Sequence, residues 1–443
     1  LYGATPRLAA QPAPAKTEQA AAASAVALVS TADARTLYEE AANYARQRYA
    51  EFERTGVAYD PKLVQQVEAD QRALAARHAA TLGARGPLAP ADVYYLGRLY
   101  HLAGESGGAV ETMRSFLGGP QQAGEETRPA EPASGARFVV ALHEAKLGRL
   151  AEAEIALADY VKHAAPPDAR ELYLIASTLA AGYRQRRQLE PAAAHARAAF
   201  DAVLKLNDGG VLAGDQRVRD DLLYGAAESL SDLHLQLKQT GASVAVLQGL
   251  RRLSVSLPSV DLYRRTTILL GRVVPPVAPE TGADDPLFSA ARLAPEIEAR
   301  DWLGQRPATL VALRGRVVLL DFWAASCAPC RAALPHLKAW QEKYGKRGLS
   351  VIALTQYETE QTRDRQRAEL RQIRRAWRLP FGFAVADTAE TARRYNVTTI
   401  PAAALIDRRG VVRYLSVGAR DEEIAEMEGM IERLLAEAAG GQK

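Results

Sequence analysis

The sequence has very little cysteine: two residues among 443, Cys327 and Cys330. Because both belong to one short motif, a framework of structural disulfides within the chain is excluded. Long hydrophobic runs are also lacking, since no apolar stretch approaches the roughly 18 residues that indicate a transmembrane helix. The charge is nearly balanced, with 56 basic and 52 acidic side chains and a net charge of +4, which gives no argument for a nucleic-acid partner.

A length of 443 residues is enough for two or three domains. Residues 1–30 are dominated by Ala, Pro, Gln and Thr, and cannot bury enough apolar surface to offset the entropy of ordering them. We expect a flexible segment there, although residues 20–29 could equally begin the first helix. The segment resembles the linker that follows a removed signal peptide or membrane anchor, whereas the cysteine count fits a cytosolic protein as well as an exported one.

Residues 31–274 have apolar side chains at intervals of three and four, which predicts helices throughout. The first hairpin is expected to pair residues 32–54 with 61–82. Residues 93–109 and 140–160 resemble tetratricopeptide repeats, and weaker copies follow around 180–200 and 233–245. These copies predict an all-α solenoid, in which each helix pair buries its open face on the next. Their expected helix-packing residues are Ala109, Ala153, Ala193 and Ala245, at steps of 44, 40 and 52 residues rather than the family's 34.

Residues 275–286 are rich in Pro, Gly and Asp, a composition typical of a linker between packed domains. We expect a second domain over residues 287–443. Within it, residues 358–378 contain seven arginines, with Leu370, Ile373 and Trp377 at helical spacing. The arginines are interpreted as the solvated face of a helix, and a site for an anionic partner is the alternative. Residues 402–406 and 411–417 predict a hairpin, and residues 422–435 a closing helix.

The cysteine motif lies where a strand gives way to a helix. Residues 317–320 are consecutive apolar residues rich in β-branching, which predicts a strand buried on both faces. A helix is predicted after Cys330, so Cys327 is expected at its N-terminus. Unpaired backbone N–H groups and the helix dipole favour a thiolate at that position, and the thiolate is the species that attacks disulfides. Cys330 is then close enough to bond Cys327 and release a partner held as a mixed disulfide.

Here the chain resembles the thioredoxin superfamily, and within it the TlpA-like extracytoplasmic thiol–disulfide oxidoreductases. The resemblance is carried by Asp321-Phe322-Trp323-Ala324 followed by Cys327-Ala328-Pro329-Cys330, by parts of residues 293–316, and by residues 395–401 and 404–410. It covers about the last third of the chain and implies an α/β thioredoxin fold. It also implies no cofactor beyond the Cys327–Cys330 disulfide. The implied partners are a protein disulfide or dithiol and an upstream thiol reductant, since these relatives are mainly reductants.

The same resemblance implies roles for individual residues. Cys327, Cys330, Asp321 and Pro401 are the expected catalytic residues. Asp321 is implied to lie buried beneath the site and to exchange a proton with Cys330, because burial without a partner raises the pKa of a carboxyl. A satisfied structural carboxylate is the alternative, and many relatives have Asn there. The residues expected to contact substrate are Trp323, Ser326, Ala328, Pro329 and Ile400.

A cis Ile400–Pro401 bond is implied by the resemblance, facing the cysteines. It would expose the Ile400 backbone for pairing with an extended substrate. Ser326 departs from the family, in which Trp is frequent, so the surface beside Cys327 is expected to differ. Trp323 is expected to pack beside the motif as a core aromatic, with substrate contact as the alternative.

Two other chemistries are disfavoured by the sequence. A structural zinc site needs four ligands, whereas His336 is the single further candidate near the motif and is expected to be exposed. Peroxide chemistry is disfavoured because no Thr or Arg stands close before Cys327. The predicted function is therefore reduction of partner disulfides, with the helical repeats selecting or holding the partner. A scaffold or redox-sensing protein with a catalytically silent thioredoxin domain is the alternative.

Overall fold

In the computed structural model, the described residues are 32–57, 60–119, 130–164, 166–208, 216–274, 293–357 and 362–437. The predicted N-terminal segment and linker lie outside these ranges, so the domain boundaries stay predictions. The chain divides into two compact units, Leu1–His195 and Ala196–Lys443. No helix within the described ranges is long and apolar enough to span a bilayer.

The first unit is built from α-helices, as its 3.6-residue apolar pattern predicts. The expected first hairpin is confirmed to within two residues at each end. Asp33 and Asp60 begin its two helices by accepting hydrogen bonds from the backbone N–H groups of Thr36 and Lys62, at 2.8 and 2.9 Å. The helices are α1 Ala34–Thr55, α2 Pro61–Gly83, α3 Pro90–Ala103, α4 Ser106–Gly118, α5 Ala130–Lys146, α6 Leu150–His163, α7 Ala169–Gln185 and α8 Leu189–Asp208, the last of which continues into the second unit.

Small side chains lie where the paired helices meet. Ala109, Ala153 and Ala193 are buried, as the repeat pattern predicts. The prediction for Ala245 is wrong, because its side chain is exposed. Ser243, two positions earlier, is buried instead, and its hydroxyl lies 2.7 Å from the hydroxyl of Ser231. Each buried hydroxyl thereby has a partner, which an alanine would not supply. The all-helical character is confirmed, and its assignment to the tetratricopeptide family stays a prediction.

The second unit combines three further helices with a mixed sheet. The helices are α9 Gln216–Gln236, α10 Thr240–Ser256 and α11 Val260–Val273. Val255, Val260 and Tyr263 are buried in the same hydrophobic core as the strands of the sheet. Tyr263 packs edge-on against Tyr414, with ring centroids 6.1 Å apart. These helices therefore share their core with the sheet.

The sheet confirms the α/β thioredoxin-like fold. Its order is β1-β4-β3-β2-β5-β6, with β3 parallel to β2 and β4, and every other pairing antiparallel. β2 lies between β3 and β5, and all six of its residues are buried. The elements are β1 Asp301–Leu303, β2 Val317–Phe322, α12 Ala328–Tyr344, β3 Leu349–Gln356, α13 Arg363–Ala376, β4 Gly382–Ala386, α14 Glu390–Arg394, β5 Ala402–Ile406, β6 Val412–Val417 and α15 Asp421–Ala436, with a 3-10 turn at Gly345–Arg347.

The arginine-rich segment forms α13, and its arginines divide into two groups. Four are exposed: Arg365, Arg371, Arg375 and Arg378. The others are partly buried and have partners in the sheet domain: Arg363 bonds Asp387 at 2.9 Å, Arg374 bonds the Phe381 carbonyl at 3.0 Å, and Arg367 lies 3.6 Å from Asp301. Trp377, expected on the apolar face, is 41% exposed because the helix ends before it. The solvated-face interpretation holds for the first group.

A polar contact, called here the helix–loop seam, joins α9 and α11 to the loop before β5. Asp220 of α9 is 1% exposed. Its carboxylate accepts hydrogen bonds from Arg219 Nε at 2.8 Å, from Asn396 Nδ2 at 2.6 Å and from the Ser259 hydroxyl. The buried charge is thus paired and hydrogen-bonded, as burial of a carboxylate requires.

The seam continues along the backbone at the start of α11. The Val260 N–H donates to the Tyr395 carbonyl at 2.9 Å, and the Asp261 N–H to the Asn396 carbonyl at 3.0 Å. The Thr398 hydroxyl donates to Asp261 Oδ1 at 2.8 Å. Three residues of the loop, 395, 396 and 398, are therefore tied to helices that precede the sheet in sequence.

We predict that Asp220→Ala destabilises the sheet domain by about 3–5 kcal/mol, because Arg219 would stay buried without its counter-charge. All four tryptophans lie between residues 302 and 377, so urea unfolding followed by tryptophan fluorescence reports on the sheet domain. The matched control is the neighbouring Asp221→Ala, which removes a 58% exposed partner of Arg265 and should cost about 1 kcal/mol or less. An unshifted fluorescence transition in the Asp220 variant would contradict the seam's structural role.

Candidate active site

The two cysteines lie at the start of α12 and form a disulfide. Their Cα atoms are 5.2 Å apart and their sulfur atoms 2.00 Å. Cys327 is the N-cap residue, and its Sγ accepts a hydrogen bond from the Cys330 backbone N–H at 3.2 Å. Cys327 is partly exposed, whereas Cys330 is 1% exposed. Of the two sulfur atoms, only that of Cys327 is therefore accessible to a large partner.

The local sequence explains this placement. β2 ends at Phe322, and a short turn leads to the helix, where Pro329 occupies the first turn and needs no hydrogen-bond partner for its nitrogen. In the reduced protein, the Cys330 N–H and the positive end of the helix dipole favour the thiolate form of Cys327. The expectation that the first cysteine lies at a helix N-terminus is confirmed.

Asp321 lies in the central strand β2, six residues before Cys327 in the chain. It is 4% exposed and stands opposite Ala353 of β3 and Ala403 of β5 in the sheet register. Among the described residues, its carboxylate has no hydrogen-bond or ion-pair partner. Burial raises the pKa of Asp321 to about 7. The carboxyl group can therefore gain and lose a proton near neutral pH.

A small cavity of about 30 Å³ lies next to this carboxyl group. It is lined by Asp321, Pro401, His336 and Leu337 among others, and its volume is close to that of one water molecule. His336 itself is exposed, as expected. Within the described ranges, no group of three or more His, Cys, Asp or Glu side chains is placed to hold a metal ion.

The loop before β5 carries a cis peptide bond between Ile400 and Pro401, as the resemblance implies. Ile400 is 38% exposed and Pro401 is buried. The Pro401 carbonyl accepts a hydrogen bond from the Gly418 N–H at 2.9 Å. In the part of the chain that the structure describes, the N–H and carbonyl of Ile400 have no partner, so both are available to an incoming backbone.

Trp323 follows β2 and is 3% exposed. Its ring centroid lies 4.8 Å from that of Phe383, and its backbone N–H donates to the Leu354 carbonyl at 3.0 Å. The indole N–H is buried and has no partner among the described residues. Trp323 is thus a core aromatic, and it also lines a cavity of about 440 Å³ beside the motif.

That cavity, called here the motif cavity, brings together several residues expected to contact substrate. Trp323, Ser326 and Ile400 all line it. Ser326, Ala328 and Pro329 flank Cys327 in the chain, and all three are exposed. The residue next to Cys327 and the residue before Pro401 therefore face one space, although they are 74 positions apart in the chain.

The reasoning from sequence missed the seam that ties this loop to the helices. Asp220 held a usable signal, because it lies on the buried face of α9 with Leu223 and Ala227, where an acid needs a partner. Asn396 held another, since it adopts φ 45°, in a left-handed region that Asn tolerates better than most residues. Neither signal identifies the partner, which is distant in sequence.

Comparison with known proteins is consistent with this site. Residues 290–415 match the model of the AhpC/TSA family. Protein DipZ of Mycobacterium tuberculosis (strain CDC 1551 / Oshkosh) is 32% identical over 154 residues, which are 34% of this chain and 22% of DipZ. Thiol-disulfide oxidoreductase ResA of Bacillus anthracis is 26% identical over 152 residues, covering 34% of this chain and 82% of ResA.

A crystal structure from Chlorobium tepidum, provisionally described as thiol:disulfide interchange protein DsbE, is 30% identical with a TM-score of 0.29, and the match covers 32% of this chain and 96% of that one. The chain spans about a fifth of the length of DipZ. The family match and the relatives in sequence concern about a third of the chain and confirm its thioredoxin-like character.

The raised pKa of Asp321 predicts a pH dependence of stability. The unfolded carboxyl loses its proton near pH 3.8, whereas the folded one keeps it to about pH 7. The native state binds more protons between these values, so the free energy of unfolding falls as pH rises through this window and levels off above it. Asp321→Asn removes the effect. Between pH 4 and pH 8, the free energy of unfolding of the variant should therefore rise by up to about 4 kcal/mol relative to that of wild type.

Urea unfolding at several pH values between 4 and 8 measures this difference. Asp364→Asn, at an exposed position in the first turn of α13, is the control for loss of one carboxylate. A difference between Asp321→Asn and wild type that is constant across pH would show that the carboxyl does not titrate in this window.

Proposed function

Because residues 290–415 match the model of the AhpC/TSA family and this part of the chain is thioredoxin-like, we propose that the protein is a thiol–disulfide oxidoreductase that reduces disulfides of partner proteins. The observation that carries the proposal is the arrangement of the cysteines. Cys327 is partly exposed at the N-cap of α12, and the buried Cys330 is bonded to it.

The first step is attack by the Cys327 thiolate on a substrate disulfide. A bond forms between Cys327 Sγ and one substrate sulfur, and the substrate's own S–S bond breaks. The second substrate sulfur leaves as a thiolate and takes a proton from solvent. The helix N-terminus stabilises the attacking thiolate, which is supported by the Cys330 N–H lying 3.2 Å from Cys327 Sγ.

The second step is attack by Cys330 on Cys327. The Cys330 thiol gives up its proton, its sulfur bonds Cys327 Sγ, and the remaining substrate sulfur leaves reduced. Asp321 is proposed to accept that proton, because its pKa of about 7 suits a group that must be deprotonated before the step and protonated after it. The two electrons have passed to the substrate, and the protein is left as the Cys327–Cys330 disulfide.

A new cycle needs an upstream thiol reductant, which would break the Cys327–Cys330 bond by the reverse exchange. The sulfur pair carries both electrons itself, so the chemistry needs no further cofactor. Ile400 is proposed to pair with the substrate backbone, which is supported by its free N–H and carbonyl beside the cis bond within the described loop. Trp323, Ser326, Ala328 and Pro329 are proposed to contact the substrate around Cys327.

The helical first unit is proposed to be a tetratricopeptide-like array that selects or holds the partner. Stacked helix pairs form extended surfaces suited to protein ligands. An extracytoplasmic location is proposed from the resemblance to TlpA-like proteins, with any membrane anchor in a removed N-terminal segment. A redox-sensing scaffold is the second candidate function, which the partly exposed disulfide in a helix-rich chain also fits.

We predict that the reduced wild-type protein reduces insulin disulfides and that Cys327→Ser lowers the rate to the uncatalysed background, because the remaining thiol, Cys330, is 1% exposed and closed to a large substrate. Turbidity of precipitating insulin chains measures the rate. Cys330→Ala should instead accumulate a mixed disulfide through Cys327, which mass spectrometry of a non-reduced sample identifies. Equal insulin rates for Cys327→Ser and wild type would favour the scaffold.

We predict a separate effect of the helical unit. A chain lacking residues 1–208 loses the first unit and the part of α8 that continues into the second unit, but it retains α9–α11 and the sheet and should reduce insulin at the wild-type rate. Its turnover with the partner captured by Cys330→Ala should fall about tenfold, which corresponds to about 1.4 kcal/mol of lost binding free energy. Tryptophan fluorescence checks that the shortened chain is folded. Unchanged turnover with the captured partner would exclude a role for the first unit in recognition.

A further inference from the structure

A second cavity lies on the other side of the cis bond, between the helices and the sheet. It has a volume of about 570 Å³. We call it the helix–loop groove. Its lining includes Arg251 of α10, Ile268 and Gly271 of α11, Ile400 and Pro401 of the loop, and Tyr414 of β6. One wall is therefore supplied by helices that precede the thioredoxin-like match in sequence.

The helical wall is fixed relative to the loop. The hydrogen bonds from Val260 N–H to Tyr395 and from Asp261 N–H to Asn396 hold the first turn of α11, at 2.9 and 3.0 Å. The Thr398 hydroxyl adds a third bond to Asp261, two residues before Ile400. Tyr263 and Tyr414 close the floor, and both are buried. The groove is thus built into one packed unit.

The groove is continuous with the active site. Thr399 and Ile400 line both the helix–loop groove and the motif cavity, which also contains Ser326 beside Cys327. An extended chain rises about 3.3 Å per residue, so a segment of about nine residues spans about 30 Å. A segment paired with the free Ile400 backbone can therefore lie in both cavities while its cysteine is near Cys327.

The side chains of the groove indicate what it would hold. Ile268 and Ile400 are apolar and exposed by 48% and 38%. Arg264 is paired with Asp261 at 2.9 Å, whereas the partly buried guanidinium of Arg251 has no acidic partner among the described residues. A partly desolvated charge interacts more strongly than an exposed one, so Arg251 favours an acidic group in the groove.

On the opposite wall, two of the three acidic side chains have an ion-pair or hydrogen-bond partner. Glu423 is paired with Arg420, and Glu426 accepts a hydrogen bond from the Tyr414 hydroxyl at 2.8 Å. Glu422 is exposed to solvent, where its charge is screened. Arg251 is therefore the partly buried cation of the groove that has no acidic partner among the described residues, and it faces a wall on which the Glu426 carboxylate keeps its charge, because its hydrogen-bond donor is a neutral phenol.

We propose that the helix–loop groove binds the segment of the substrate polypeptide next to its disulfide, with an apolar side chain against Ile268 and an acidic side chain at Arg251. The proposal rests on the proposed thiol–disulfide exchange and adds its substrate class: disulfides flanked by apolar and acidic residues. Helices α10 and α11 are thereby part of the substrate site of the redox domain.

The test uses the full-length reduced protein and two symmetric peptide disulfides. Each peptide has about nine residues around a central cysteine, a length that reaches across both cavities. The two peptides are identical except for Glu or Lys at the positions near the cysteine. Hydroxyethyl disulfide, which is too small to fill the groove, is the reference substrate. Rates of peptide reduction are followed by chromatography and divided by the hydroxyethyl disulfide rate of the same variant.

We expect the wild-type protein to prefer the Glu peptide by about fivefold or more, the ratio given by about 1 kcal/mol of charge attraction. Arg251→Gln should bring the ratio near one, and Arg251→Glu should reverse it. Arg272→Glu is the matched control, because Arg272 is an exposed residue of α11 that does not line the groove, and it should keep the wild-type ratio. Ile268→Ser should lower both normalised peptide rates together.

Three results would overturn the proposal. The first is a wild-type protein that reduces both peptides equally. The second is a Glu-to-Lys ratio that is the same in the Arg251 variants as in wild type, and the third is an Ile268→Ser variant with unchanged normalised peptide rates. A wild-type protein that reduces neither the peptides nor hydroxyethyl disulfide would overturn the proposed function as well, so the two failures are distinguishable.

Discussion

The site depends on the complete burial of β2. This strand is paired on both edges and covered on both faces, so its register with β3 and β5 is fixed. A one-residue slip would exchange its faces, and with them the position of Asp321. α12 follows the carboxyl end of this strand, and its first turn leaves Cys327 partly exposed while Cys330 stays buried.

The same burial gives Asp321 its chemical character. Its cross-strand neighbours are alanines, which supply neither a charge nor a hydrogen bond from their side chains. The carboxyl is consequently neutral at acidic pH and titrates near 7. An unpaired carboxyl at this depth lowers stability above neutral pH, a cost that a proton acceptor for a buried thiol would justify.

The second unit, which contains the sheet and both cysteines, extends beyond the residues that match the family, 290–415. The helix–loop seam fixes the loop before β5 from outside the matched residues, through Asp220 and Asp261, which bond Asn396 and Thr398 of the loop. That loop also bears Ile400 and Pro401, so the helices line a cavity together with the residues proposed to meet the substrate. Buried polar bonds of this kind are unfavourable unless complete, and they therefore hold one arrangement of helix and loop.

Much of this architecture follows from local patterns in the sequence. Apolar periodicity predicts the first helical hairpin, the central strands and the closing helix, because burial on one face or on both leaves a direct trace in residue order. The cysteine spacing at a strand-to-helix junction predicts the reactive pair. Ala245 is predicted to be the packing residue instead of Ser243 because small residues are frequent in α10, and composition does not show which of them faces inward.

By itself, then, the sequence determined the helical and α/β parts, the sulfur pair and the buried strand that leads to Asp321, since these depend on neighbours close along the chain. Only the tertiary structure decided which helices join the sheet and what lines the space beside Ile400. Those features depend on contacts between residues as far apart as Asp220 and Asn396, and neither residue's local sequence specifies its partner. A buried charge indicates that a partner is needed, but only the folding of the whole chain brings one to it.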